Sequence, residues 1–212
     1  MLIICIYIQS IRKQTYLNRC VKIAVMLLEV ELRMCIHIDE ENNMETMKII
    51  SIRGRMAYVI CLFERLLLYF KYDKKEWTEV LKKLWTYTDV EYFDEWIYEV
   101  AEYLPDCILE DSQDAFEFIT AEEYEYLYKL YSKSCPEVCA FMDLIYEIGT
   151  INAYTILMDN DIKTIKKVEE ATNILKSHDI KIMAIDSFKK YSFDQCNGWG
   201  ERFDGRSLSI IL

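Results

Sequence analysis

Thirty-six aspartates and glutamates, eight cysteines and two histidines are the side chains of this sequence with the most chemistry to offer. Paired carboxylates can share the acid and base roles of a hydrolysis, but a catalytic acid needs a desolvated setting that raises its pKa. Most of these acids fall on polar helix faces, and with so many of them some pair will be close by chance. The cysteines (Cys5, Cys20, Cys35, Cys61, Cys107, Cys135, Cys139 and Cys196) are scattered through apolar runs. A zinc site needs clustered thiolates or imidazoles, and the nearest approaches, Cys135 with Cys139 and Cys35 with His37, lack the remaining ligands. They read as reduced thiols serving as small hydrophobes, and no metal or other cofactor is expected. With only His37 and His178 there is little material for a nucleophile–base triad, and no Ser or Cys stands in a nucleophile-elbow context. The GWG at 198–200 lacks the lysine and following helix of a phosphate loop, and reads as turn glycines around a packed Trp199. No catalytic residue is expected.

What remains is binding chemistry, concentrated in residues 73–131. That stretch holds seventeen acids against five lysines, a charge of −12 in a chain whose net charge is −11. It also holds fourteen of the twenty-nine aromatic residues, Trp77, Trp85 and Trp96 among them. Helical spacing gathers Glu91, Asp94, Glu95, Tyr98, Glu99 and Glu102 on one outer face and Glu122, Glu125 and Tyr126 on another. A self-sufficient helix surface mixes signs at i and i+4, whereas like pairs cost a few tenths of a kcal/mol each. A cationic protein surface would neutralise such a face, with Tyr98 and Tyr126 as rigid contact area, so these nine residues are the expected partner-binding set. The same charge, with a pI near 4.8, repels phosphate backbones, and nucleic acid is not an expected partner.

The elements that must carry this face are helical, because two Pro and five Gly leave few breakers. A mainly α fold is expected, a body of about six to eight helices with a small C-terminal β unit. Residues 56–70 predict a helix buried over most of its circumference, with Val59, Leu62, Phe63, Leu66 and Phe70 on one stripe and Tyr58, Cys61 and Leu67 widening it. Asp73 is placed to cap a helix that turns Trp77, Val80, Leu81 and Leu84 inward. Asp89 is placed to cap a third, burying Phe93, Trp96, Ile97, Val100 and Leu104 and stopped by Pro105. A loop with one irregular turn follows over 106–119. The Thr120/Glu123 capping box opens a helix with Tyr124, Leu127, Tyr128 and Tyr131 inward. Pro136 opens another, closed near Gly149, a short apolar helix is expected at 151–158, and Asp161 caps an amphipathic helix with Ile162, Ile165, Val168, Thr172 and Leu175 inward, ending near His178. The apolar runs 180–185 and 208–212 predict the strands.

Residues 1–43 fit neither helical nor strand period cleanly and read as an uncertain N-terminal extension, leaving 44–212 as a single mostly helical domain. The opening run MLIICIYI precedes its basic residues, the reverse of a signal peptide, and no apolar run reaches the ~20 residues of a membrane span. A cytoplasmic protein without membrane association is therefore expected.

From about Gly54 onward the chain resembles the immunity proteins of bacterial polymorphic-toxin and contact-dependent growth inhibition systems. The likeness lies in size, acidity and abundance of Trp and Tyr, in the block YVICLFERLLLYF followed by KKEWTEVLKKLWTYT, and in the terminal GWGERFDGRSLSIIL. It implies a cytoplasmic, non-enzymatic protein that binds and neutralises one cognate toxin domain, often a basic nuclease, and it assigns no role to individual residues. The competing expectations are a small helical metabolic or nucleotide-handling enzyme, marked by a pocket where polar groups converge, and a helical adaptor in a constitutive complex.

Overall fold

The computed structural model describes residues 22, 25, 26, 28, 43–157 and 160–212. The chain divides into two units, Met1–Met44 and Glu45–Leu212, and every numbered element below belongs to the second. Of the N-terminal stretch 1–43 only 22, 25, 26, 28 and 43 are described, and Cys5, Cys20, Cys35 and His37 lie outside the described residues.

The fold is mainly α. Described residues 22, 25, 26, 28 and 43–48 are α-helical, and in the second unit follow α1 (Ile52–Tyr69), α2 (Lys74–Trp85), α3 (Phe93–Ala101), α4 (Pro105–Glu110), α5 (Ala121–Tyr131), α6 (Pro136–Thr150) and α7 (Ile162–Ser177), with short 3-10 turns between and after them. Helix α1 is the axis. Ser51 caps it by accepting the Gly54 N–H at 3.2 Å, and burial runs almost continuously from Ile52 to Leu67. Helices α2, α6 and α7 pack against it. Phe63 stacks on Phe141 of α6 at 5.4 Å and meets Trp77 of α2 edge-on at 5.5 Å. Such aromatic pairs contribute about 0.5–1.5 kcal/mol beyond the area they bury.

An all-round buried helix is ordinarily apolar, yet α1 buries Arg53, Arg55 and Glu64. Each is matched to polar groups of a segment that would otherwise wander. Arg55 donates to the carbonyls of Met47, Asn160 and Asp161 and to the Thr164 hydroxyl. Arg53 donates to the carbonyls of Tyr87 and Val90 and lies 4.4 Å over the Phe93 ring. Glu64 accepts from the Trp85 indole, the Ser209 hydroxyl and the Ile210 amide.

Those clamps explain why the expected C-terminal β unit does not form. Among the described residues there is one isolated antiparallel bridge, Ile50 with Ser192, and no strand. Backbone polar groups in both apolar runs find side-chain partners instead of a ladder: the Met183 carbonyl accepts from Tyr58, the Ile210 amide is held by Glu64, and the Ser209 hydroxyl accepts from the Ile211 and Leu212 amides.

Other boundaries also differ from expectation. Helix α3 starts at Phe93, with Tyr92 at its N-cap and no side-chain cap, because Asp89 ends the preceding 3-10 turn Thr86–Thr88. Pro105 opens α4, where its missing N–H costs nothing. Residues 151–155 are turns and not a helix. Tyr128 and Ile162, expected inward, are exposed, and Leu130 takes the buried place on α5. The caps at Asp73 and Thr120/Glu123 form as read.

Helix α6 ends at Thr150, near Gly149 as expected, and a Cβ on Gly149 would come within 2.4 Å of the Trp96 ring. Gly149→Ala is therefore expected to push Trp96 out of its place and cost about 1–3 kcal/mol. Equilibrium urea unfolding measures it, and an unchanged midpoint would contradict the close approach.

Candidate interaction surface

Helix α3 buries Trp96, Ile97 and Val100 and turns its other side outward. Trp96 is fixed edge-on against Tyr87 at 4.9 Å and stacked on Tyr146 at 6.2 Å, so the rotation of α3 is set by its core face. Asp94 and Glu95 therefore stand exposed in the first helical turn, where the helix dipole favours carboxylates. Neither has a hydrogen-bond or ion-pair partner among the described residues. Tyr98 follows, 55% exposed, beside Tyr154, which is 80% exposed and whose phenol the Tyr98 hydroxyl raises above its ordinary value.

The remaining expected contact residues are engaged within the fold to different degrees. Glu91 is exposed and pairs with Arg202 at 3.2 Å. Glu99 is half-buried and bonded to Lys83 at 2.9 Å, and Lys83 lies 5.5 Å over the Tyr103 ring. Glu102 accepts three successive amides, Glu117, Phe118 and Ile119, at 2.7, 2.7 and 3.2 Å, pinning the loop ahead of α5. Glu122 and Glu125 are exposed on α5. Tyr126 is half-buried, donates to the Glu76 carbonyl at 2.5 Å and is pushed up to about 12 by that burial, with Glu79 and Glu76 adding to it. It ties α5 to α2 instead of standing out as contact area. The expected mutual repulsion of Glu91, Glu95, Glu99 and Glu102 is thus largely relieved by Arg202, Lys83 and the loop amides. The unneutralised charge on α3 narrows to Asp94 and Glu95.

Beside this stretch is a cavity of about 320 Å³, lined by Trp85, Thr86, Asp89, Val90, Glu95, Trp96, Glu99, Asp204 and Arg206. Asp89, expected as the cap of α3, lines this cavity instead, while Asp204 and Arg206 arrive from over a hundred residues away, where local spacing does not show them and only the DGR turn hints at a self-paired arginine. Arg206 holds Asp204 through Nε and Nη2 at 2.8 and 3.2 Å, and Arg202 comes within 4.0 Å of Asp89. Trp96 keeps its buried indole N–H without an acceptor.

A second acidic region lies on α6. Asp143 is half-buried, and its pKa is raised first by that burial and then by Asp106 and Glu147. A raised carboxylate pKa means the folded state holds the proton more tightly, so Asp143 supports the fold in acid and loses that support as pH rises through its folded pKa. Asp143→Asn is expected to raise the melting temperature at neutral pH and leave it nearly unchanged near about pH 3, below the carboxylate range. A variant less stable than the parent at neutral pH would contradict this.

Burial pushes Cys61 up to about 12 and Cys139 to about 11, which keeps both protonated. Among the described residues no three His, Cys, Asp or Glu side chains converge as metal ligands, and no helix is long and apolar enough to cross a membrane. No protein-family model, no curated protein and no solved structure matches this chain.

Proposed function

We propose that this protein is an immunity-type inhibitor, a cytoplasmic bacterial protein that binds and neutralises one basic toxin domain through the acidic, aromatic surface of α3. The observation that carries the reading is the exposed pair Asp94 and Glu95, unneutralised at the N-terminus of α3 and one turn from the exposed Tyr98 and Tyr154. Charge without an internal counter-ion steers a cationic partner, and tyrosines give contact area at low entropic cost. A purely structural acidic face would resemble Glu99 and Glu102, which are already bonded. The enzyme alternative needs convergent catalytic groups. The cavity beside α3 holds carboxylates, a threonine and a self-paired arginine, with no nucleophile–base pair.

The test is genetic. The neighbouring reading frame is expected to encode a protein ending in a small basic domain that arrests growth when expressed alone and is harmless when this chain is co-expressed. A neighbouring toxic domain that this chain fails to neutralise, or a housekeeping operon in its place, would overturn the proposal.

A further inference from the structure

We infer that the cavity beside α3 receives one guanidinium group, an arginine side chain of the basic partner, with Glu95 as its counter-ion; this rests on the inhibitor reading above. At about 320 Å³ the cavity lies at the bottom of the range for ligand pockets, about 300–1,000 Å³, which suits a single side chain. Four carboxylates and one arginine line it. Three of those carboxylates already face a cation of this chain: Glu99 with Lys83, Asp204 with Arg206, and Asp89 near Arg202. Glu95 alone has none, so the site is short of one positive charge at a defined place.

Arginine fits this wall better than lysine. Its planar fork matches a carboxylate and it is weakly hydrated, whereas an ammonium loses more hydration for less contact. The chain already packs guanidinium groups in this way nearby, with Arg53 over the Phe93 ring and its fork on the carbonyls of Tyr87 and Val90. A polypeptide source is favoured by the exposed Tyr98 and Tyr154 alongside, which a free small cation would leave uncovered.

The experiment titrates the full chain with N-acetyl-arginine methylamide and follows the amides of Thr86 and Val90 and the indole N–H of Trp96 by NMR. Saturable shifts with a Kd on the order of millimolar are expected. The lysine analogue should bind several-fold more weakly, and the citrulline analogue, which keeps the shape and loses the charge, should give no saturable shift. Glu95→Gln should weaken the arginine probe about tenfold, equivalent to about 1.4 kcal/mol. Glu169→Gln, on α7 and exposed, should change nothing. Equal binding of arginine and citrulline probes, absence of saturation, or indifference to Glu95→Gln would overturn the inference. Growth rescue alongside a silent titration would refute the cavity and leave the inhibitor reading standing. Arginine-selective binding by a chain that rescues nothing would do the reverse.

Discussion

Replacing Arg55 with methionine is expected to lower the unfolding free energy by about 3–5 kcal/mol, the range found when one partner of a buried ion pair is removed. The guanidinium is fully buried and lies 3.5 Å from the buried Asp161 carboxylate. Burial lowers its pKa to about 10, with Asp161 opposing, so it remains charged at neutral pH. Its loss strips donors from the carbonyls of Met47, Asn160 and Asp161 and leaves Asp161 with only Asn152 and Thr164. Most of the cost is the stranded carboxylate and the unpaired carbonyls, because methionine refills much of the volume. Arg55→Met with Asp161→Asn should therefore be less destabilised than Arg55→Met alone, a coupling that a double-mutant cycle in urea would read directly. Additive effects, or a loss under about 1 kcal/mol for the single variant, would show that the network merely fills space.

That network also marks where the sequence stops being legible. The stripe Val59, Leu62, Phe63 and Leu66 announces a central helix because apolar spacing is local, and so do the caps at Asp73 and Thr120. Nothing local announces that Arg53, Arg55 and Glu64 are inside. Their partners are carbonyls and amides up to about a hundred or more positions away, and a charged residue on a helix ordinarily reads as solvated. The missing strands fail for the same reason: 180–185 and 208–212 have strand-like composition, but Tyr58 and Glu64 on α1 occupy their backbone groups. On α3 the outward set was readable from periodicity alone. Which of those acids remain uncompensated was not, since Lys83 lies on α2, Arg202 in the C-terminal segment, and the amides bound to Glu102 in a loop.

Charge reversal on α3 is expected to act on encounter rate. Asp94→Lys with Glu95→Lys should slow association with the basic partner about tenfold or more at low salt, the order lost when electrostatic steering is removed. The parent's association should itself slow steeply as salt rises, because screening acts over ~8–10 Å at physiological ionic strength. The pair is chosen over Glu95 with Glu99, since Glu99 holds Lys83 and its reversal would set two ammonium groups together. Folding should survive, as both positions are exposed, although positive charge near a helix N-terminus costs a few tenths to 1 kcal/mol. Tyr98→Ala probes the other term. An aromatic anchor buried on binding should raise the dissociation rate and cost about 2 kcal/mol or more, with little change in association. Stopped-flow or surface-binding kinetics separate the two. If charge reversal left association untouched at low salt while Tyr98→Ala still sped dissociation, the surface would be an apolar contact with incidental acids. If neither changed, the partner would be docking elsewhere on the fold, and the uncompensated pair on α3 would be serving only the helix dipole.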